Sequence, residues 1–378
     1  MKRILVLLLA ALMLLSMAAC SDPAEPQEST PAGNEIVYEN HDYPLGDVSD
    51  RLKLLGRSEY GDQGVICDLS ASGVEFSMYI EGRLTLEINC SKDTYFTVYI
   101  DGVRQEERLK VTGGFVDQNV EIANFDTMAL RNIRIVKQTE ANNSVATIKS
   151  MQFYGFLASK PKNQKLYIEF IGDSITCGYG NLWTKDSADP SSKSGTALYQ
   201  DATQSYAYLT AQLLQADVSL VSCSGIGVDL GYTNQNGSGY RMMDFYKAAS
   251  YARNQKEEFD FAAARVPDVV VINLGTNDQS LNSTEANFKA GVKELIEFIR
   301  TSYGKNVPIV WAYGMMADGR YQWVQSVLEE MGGTDAKLYS FELVRNKEGG
   351  NGHPSLTAHN IAAQQLTGFL IKNNIVDY

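Results

Sequence analysis

Apolar and polar residues alternate one by one along the first half of the chain, from about residue 42 to 156. The clearest alternating runs are VEFSMYIEG, RLTLEINCS, YFTVYIDG and NIRIVKQTE, and turn residues separate them. A period of two with β-branched and aromatic residues is typical of strands that bury one face. We therefore predict an antiparallel β-sandwich over residues 42–158, with an Asp-Gly hairpin turn at 100–102. Its carboxylates are expected to alternate outward into solvent.

The pattern changes after the short basic segment LASKPKNQK at 157–165. Strands are predicted where the sequence reads LYIEFIGDS, VSLVSCSGIG, PDVVVINLGTND and VPIVWAYG, and helices where it reads SYAYLTAQLLQA and EANFKAGVKELIEFIRTSYG. Strands that are apolar throughout and alternate with helices indicate a parallel sheet covered on both faces. We therefore predict an α/β domain over residues 165–378.

The first twenty residues have the pattern of a secretory signal peptide: MKR, then the apolar run ILVLLLAALMLLSM, then small residues. Cys20 follows two alanines and resembles the lipidated cysteine of bacterial lipoproteins, with ordinary cleavage near Ala19 as the alternative. Residues 21–41 are rich in Pro, Ser and Glu and are predicted to be a flexible tether. We expect an extracytoplasmic protein held to a bacterial membrane, at the cell surface or in the periplasm, by an N-terminal lipid.

Charge and cysteine content limit the binding partners, metal sites and disulfides that can be expected. The 378 residues include 33 Lys and Arg against 45 Asp and Glu, a net charge of −12. Such a charge disfavours nucleic acid and anionic membrane surfaces, so the membrane is expected to be contacted only through the lipid. Three histidines and the absence of CxxC spacing predict no metal site. Cys67, Cys90, Cys177 and Cys223 are predicted to be buried free thiols, and a Cys67–Cys90 disulfide is the alternative.

Candidate chemistry follows the predicted strands. The first strand ends at Ser174, the second at the glycines of SCSGIG, and the third at GTND, which contains Asn277. His353 lies in NGHPSLTAH, ahead of a predicted final helix. Because functional residues of parallel sheets lie past the carboxyl ends of the strands, these groups are expected to meet at one edge.

These residue types suit acyl transfer. A serine hydroxyl needs an imidazole to take its proton, and the tetrahedral intermediate needs donors for its oxyanion. We predict Ser174 as nucleophile, also capping the helix that follows, and His353 as base. The backbone N–H groups of Ser174 and Gly225 and the side-chain amide of Asn277 are the predicted oxyanion donors. Asp173 and Asp278 are predicted to bond backbone N–H groups, and His359 to pack or cap.

Taken together, FIGDSITCGYG, SCSGIG, VVINLGTND and GHPSLTAH resemble the four sequence blocks of the SGNH (GDSL-type) esterase superfamily. With the upstream β-sandwich, the chain is similar to carbohydrate esterase family 2. That resemblance implies a jelly-roll domain followed by a flavodoxin-like, three-layer α/β domain. It also implies removal of acetyl groups from a polysaccharide, of the xylan or hemicellulose type, without a cofactor.

The sequence departs from the superfamily just before His353. An aspartate commonly stands two or three residues before the histidine, whereas Asn351 is found here. Three interpretations remain open: a Ser-His dyad whose histidine bonds a main-chain carbonyl, a triad with Asn351, or an impaired enzyme. Family 2 esterases include Ser-His dyads, which favours the first.

Two loops are candidates for sugar contact. The stretch 228–246 contains Tyr232 and Tyr240 among Asn and Gly residues, and the loop 180–195 contains Trp183. Aromatic faces stack on sugar rings, although structural tyrosines in a surface loop are equally expected. The alternatives to a polysaccharide deacetylase are an esterase of peptidoglycan O-acetyl groups or lipids, and a carbohydrate-binding lipoprotein with a degenerate site.

Overall fold

The first half forms one antiparallel sheet of ten strands. This computed structural model describes residues 38–193, 195–232, 241–250 and 254–377. The ten strands are β1 (Glu39–Pro44), β2 (Lys53–Leu55), β3 (Glu59–Gly61), β4 (Gly64–Cys67), β5 (Gly73–Cys90), β6 (Thr94–Ile100), β7 (Val103–Arg104), β8 (Leu109–Val111), β9 (Gln118–Lys137) and β10 (Ala146–Leu157). Residues 38–157 are called the β half below.

Long, bent strands carry this sheet. VEFSMYIEG and RLTLEINCS are two parts of the single strand β5, whose pairing shifts next to Gly82, a residue with φ of +76°. Side chains that alternate inward along β5, such as Phe76 and Leu84, build one hydrophobic core. The predicted hairpin turn is confirmed, because Asp101 and Gly102 join β6 to β7 with φ of 50° and 79°.

The second half, called the α/β half, contains a parallel sheet of five strands. Its strands are β11 (Tyr167–Gly172), β12 (Asp217–Ser222), β15 (Val269–Asn273), β16 (Ile309–Gly314) and β17 (Leu338–Leu343). A separate antiparallel pair consists of β13 (Ala248–Ser250) and β14 (Asn254–Glu258). The order β12-β11-β15-β16-β17 places the second strand outside the first, which is the flavodoxin-like arrangement. The predicted fold class is confirmed.

Helices cover both faces of the parallel sheet. They are α1 (Ser174–Cys177), α2 (Tyr206–Leu213), α3 (Met242–Lys247), α4 (Thr276–Ser280), α5 (Glu285–Tyr303), α6 (Tyr321–Glu330) and α7 (Leu356–Lys372). Val270 and Ile272 pack in the core with α5 and α6, whereas Val269 and Val271 pack with α2 and α7. This alternation of buried side chains produces the three layers.

Sequence analysis did not predict β17 and α6. β17 lies at the edge of the sheet, and of its six residues only Leu338 and Leu343 are buried, so LYSFEL lacks an apolar run. α6 is a short amphipathic helix that buries Val324, Val327 and Leu328 at helical spacing.

The four cysteines of the described chain are buried and free, so the alternative of a Cys67–Cys90 disulfide is wrong. Within the described ranges, His, Cys, Asp and Glu side chains do not gather in groups of three or more that could hold a metal ion. A helix with the length and apolarity to cross a bilayer is likewise not found there. Cys20 and the predicted tether as far as residue 37 lie outside the described residues. The prediction that the tether extends to residue 41 is wrong, because residues 39–41 belong to β1 and pair with β10.

Candidate active site

Ser174 lies at the junction of β11 and α1. Asp173 is the residue that caps α1, because its Oδ1 accepts a hydrogen bond of 3.0 Å from the N–H of Ile175. The prediction that Ser174 caps this helix is therefore wrong, whereas the predicted backbone bond of Asp173 is confirmed. Because the Asp173 carboxylate caps the helix, the Ser174 hydroxyl is not needed as a cap and can bond another group.

That hydroxyl meets the imidazole of His353. The Ser174 Oγ and the His353 Nε2 are 2.8 Å apart, and both side chains are buried. The other ring nitrogen, Nδ1, lies 3.3 Å from the main-chain oxygen of Asn351. A proton on Nδ1 donates to this carbonyl and leaves Nε2 free to accept the serine O–H. The structure therefore brings Ser174, His353 and Asn351 together, with Asn351 contacting the imidazole through its main chain.

Tyr179 supports this arrangement and was missed by sequence analysis. Its ring lies 4.3 Å from the His353 ring, centroid to centroid. The side chain of Asn351 lowers the pKa of the Tyr179 hydroxyl, against the larger rise caused by burial. Asn351 has φ of 52°, a left-handed conformation that asparagine tolerates better than most residues. The signal was present in GDSITCGYG, five residues after the serine.

Burial sets the protonation state of the histidine. Loss of water lowers the pKa of His353 to about 4, and the hydrogen bonds to the main chain of Asn351 and Gly350 oppose part of that shift. The imidazole is therefore neutral at pH 7, the form that accepts a proton.

The predicted oxyanion donors gather around the same edge of the sheet. The Asn277 amide, in the first turn of α4, donates to the Ile226 oxygen at 2.8 Å and to Asp173 Oδ2 at 3.4 Å. These acceptors are the chain neighbours of Gly225 and Ser174. Gly225 adopts φ of +82°, a conformation that favours glycine. Asn277 thus links the segments that follow β11, β12 and β15.

Two further predicted supporting residues behave as expected. Both oxygens of the Asp278 carboxylate accept backbone N–H groups, from Val228 at 3.1 Å, Asp229 at 2.8 Å and Leu230 at 2.9 Å. His359 is fully buried, and its Nδ1 accepts the N–H of Tyr206 at 3.0 Å. Asp278 therefore fixes the start of the candidate sugar loop, and His359 has a packing role.

The predicted sugar contacts differ in their surroundings. Tyr232 is half exposed and lies beside Gly225, whose oxygen accepts the Tyr232 N–H at 2.8 Å. Trp183 donates its Nε1–H to the oxygen of Asp189 within its own loop, at 2.9 Å. Tyr240 lies outside the described residues. Tyr232 is therefore an aromatic side chain adjoining the candidate oxyanion site.

The prediction that carboxylates of the β half face solvent is wrong for Asp68, Glu75 and Glu140, which are all buried. Glu140 is 2 % exposed. It lies in the loop 138–145 between β9 and β10, where strand alternation does not apply. Its carboxylate accepts the Ser224 N–H at 2.7 Å and the Ser224 hydroxyl at 2.6 Å. The β half therefore contributes a buried charge next to Gly225.

Comparison with known families agrees with this architecture. Residues 168–366 match the family model described as GDSL-like lipase/acylhydrolase. Residues 54–161 match the model described as carbohydrate esterase 2 N-terminal. The two matches follow one another along the chain and cover most of each half.

Individual relatives are carbohydrate esterases. The chain is 30 % identical over 341 residues to the cellulase/esterase CelE of Acetivibrio thermocellus, covering 85 % of this chain and 39 % of that relative's length. It is 24 % identical over 329 residues to an acetylxylan esterase/glucomannan deacetylase of Cellvibrio japonicus, covering 84 % and 87 % of the two chains. A family two carbohydrate esterase from Clostridium thermocellum, solved in complex with cellohexaose, has a TM-score of 0.73 at 29 % identity, covering 86 % of this chain and all of that one. The chain belongs to the GDSL-like lipase/acylhydrolase family, a family of carboxylic ester hydrolases.

Proposed function

We propose that this protein is a serine esterase that removes O-acetyl groups from a polysaccharide of the xylan or hemicellulose type. The observation that carries the proposal is the 2.8 Å contact between Ser174 Oγ and a buried His353 Nε2. The half-exposed Tyr232 beside Gly225 supports a sugar substrate, and so do the activities named for the relatives. The partner is an acetylated polysaccharide or oligosaccharide.

Catalysis begins with attack on the ester. The Ser174 oxygen bonds to the acetyl carbonyl carbon while the His353 Nε2 takes the hydroxyl proton. The imidazolium that forms keeps its Nδ1–H on the Asn351 carbonyl, so a dyad replaces the usual charged triad. His353 then gives its proton to the sugar oxygen as the bond from that oxygen to the acetyl carbon breaks. Water then attacks the acetyl-serine in the same way: His353 takes a proton from the water and gives it to the Ser174 oxygen as acetate leaves.

The oxyanion is held by the N–H groups of Ser174 and Gly225 and by the Asn277 amide. The amide bond to Asp173 is 3.4 Å long and therefore weak, whereas the bond to Ile226 is 2.8 Å. We infer that the oxyanion takes over the first of these two hydrogens and leaves the second to orient the side chain.

The choice of ester is tested by a three-substrate comparison, because a lipid or peptidoglycan esterase would use the same dyad. Purified protein is given acetylated xylan, O-acetylated peptidoglycan and a short-chain triglyceride at matched ester concentrations. The proposal expects the highest kcat/KM on the acetylated xylan. A higher value on either other ester would reassign the substrate.

The pH dependence of kcat/KM should reflect the buried imidazole. Activity requires neutral His353, and burial lowers its pKa to about 4, so activity is retained from neutral pH down to about pH 5 and lost as the pH falls through about 4. A pH profile of kcat/KM with a soluble acetyl ester checks this. Burial also raises the pKa of the neighbouring Asp173 to about 7, so Asp173→Asn is the companion variant. Two results would contradict the assignment of the acid limb to a buried His353. One is a fall in kcat/KM near pH 6.5, and the other is a fall near pH 7 that Asp173→Asn removes.

For the cellular location, we propose two domains, predicted at residues 42–158 and 165–378, the first of which includes all of β1 from Glu39. The residues between Cys20 and β1 tether them to a lipid on Cys20 outside the cytoplasm. Cys20→Ala removes the only thiol in the first sixty-six residues and so the site of lipidation. We expect the variant to move from the membrane fraction to the soluble fraction with its esterase activity retained. Cleavage near Ala19 without lipid would instead leave parent and variant equally soluble.

A further inference from the structure

The loop 138–145 of the β half, called the insertion loop here, is built into the α/β half. The oxygen of Gln138 accepts the N–H of Ala202 at 2.9 Å, and Ala141 packs in the core cluster that contains Val221 and Cys223. The loop therefore occupies a fixed position beside the carboxyl end of β12, where the candidate oxyanion glycine follows.

Both oxygens of the Glu140 carboxylate accept hydrogen bonds from Ser224, the residue before Gly225. Its Oε2 accepts the backbone N–H of Ser224 and its Oε1 accepts the Ser224 hydroxyl. Gln200 Nε2 donates to Oε1 at 3.2 Å, and the Cys177 thiol lies 3.6 Å from Oε2. Ser224 is thereby held through both its main chain and its side chain.

The orientation of the peptide unit between Ser224 and Gly225 sets the direction of the Gly225 N–H. In a trans peptide the carbonyl of Ser224 and the N–H of Gly225 point in opposite directions. Asn142, also on the insertion loop, places its Nδ2 at 3.5 Å from that carbonyl and at 3.1 Å from the Cys223 sulfur. Gly225 has no side chain to orient its own N–H, so the contacts on Ser224 fix it.

We propose that Glu140 is a positioning residue for the reaction: it fixes Ser224 so that the Gly225 N–H faces the oxyanion. The oxyanion site is then completed by a residue of the β half, which gives that half a part in catalysis. This inference rests on the proposed function, since it assigns a supporting group to the same reaction. Lys137 lies close by, with its buried Nζ on the oxygens of Asp68, Thr139 and Glu140, and brings a positive charge to the loop that carries the carboxylate.

Glu140→Gln keeps the shape of the side chain and removes one of its two acceptor oxygens. Outright loss of an oxyanion donor costs about 10²–10³ in kcat, so a misdirected donor should cost less. We expect kcat on an acetyl ester to fall about 10- to 100-fold with KM nearly unchanged. The rate at which a fluorophosphonate probe labels Ser174 should fall by a similar factor, because phosphonylation develops charge in the same site.

Glu75→Gln is the matched control. Glu75 is also a buried carboxylate of the β half, but it pairs with Lys53 and Arg134, and Lys53 contacts Asp217 at the opposite end of β12. It should lower the melting temperature and leave kcat unchanged. If Glu140→Gln does not fold, Ser224→Ala removes only the hydroxyl bond to Oε1, and kcat should still fall several-fold.

The outcomes separate the two proposals. Unchanged kcat in Glu140→Gln or in Ser224→Ala, or a rise in KM at constant kcat, overturns the role of Glu140. An equal fall of kcat in Glu75→Gln also overturns the role of Glu140, because the loss of activity would then result from lower stability of the folded protein. A parent protein that leaves acetylated glycan intact, but whose fluorophosphonate labelling slows in Glu140→Gln, supports Glu140 while refuting the deacetylase.

Discussion

Replacing Ser174 by alanine should lower kcat/KM for an acetyl ester by about 10⁵-fold or more, the effect expected when a serine nucleophile is removed. The Ser174 hydroxyl is the group that bonds the His353 Nε2. The nearby thiols of Cys177 and Cys223 do not replace it, because burial, with Glu140 adding to the effect, raises the pKa of both well above the usual value. Both thiols therefore stay protonated and weakly nucleophilic at neutral pH.

The measurement is initial-rate hydrolysis of 4-nitrophenyl acetate, with fluorophosphonate labelling of the active serine in parallel. Ser326→Ala is a suitable control, because that hydroxyl bonds the Trp323 oxygen in α6 and belongs to no part of the site. The control should retain parental activity and labelling. Activity in Ser174→Ala within about tenfold of the parent would assign the nucleophile to another residue.

Replacing His353 by alanine should lower kcat by about 10⁴-fold or more, since the serine then loses the base that takes its proton. Asn351→Gly is the variant that separates the remaining interpretations of the site. It removes the side chain, keeps the carbonyl that bonds Nδ1, and suits the positive φ of that position. We expect its kcat to stay within about threefold of the parent value, which a dyad supported by a main-chain carbonyl predicts.

His41→Ala controls for loss of a histidine, since His41 bonds Gly155 in the β half. It should leave kcat unchanged. A loss of about 10⁴ in Asn351→Gly, comparable with changing a triad aspartate to asparagine, would instead make the Asn351 side chain the third catalytic member. A small effect in His353→Ala would remove the imidazole from the mechanism.

The nucleophile, the base and the oxyanion donors that sequence analysis predicted share one property: each follows an apolar strand or precedes a helix. Runs such as VVVIN are recognisable as buried parallel strands, and strand polarity then brings Ser174, Gly225 and Asn277 to one edge. The flavodoxin-like arrangement of the sheet was implied by the family resemblance and not by this regularity. Sequence analysis favoured a main-chain carbonyl as the partner of the His353 Nδ1 but did not identify the residue that supplies it, because that depends on a local left-handed turn at Asn351.

Glu140 was missed for a different reason. It is 84 residues from Ser224 in sequence and lies in a loop, so no local pattern connects the two. Its burial depends on how the β half packs against the α/β half, which periodicity does not describe. The alternation rule does not describe residues that lie outside strands. It also fails within β5 at Glu75, which is buried beside Lys53 and Arg134.

The most direct test of the account is acetate release from acetylated xylan by the parent protein, measured beside Ser174→Ala. The account predicts steady release of acetate by the parent and almost none by the variant, with the sugar chain left intact. Binding of the xylan by a folded parent protein that releases no acetate would contradict it and identify a carbohydrate-binding protein with a degenerate esterase site.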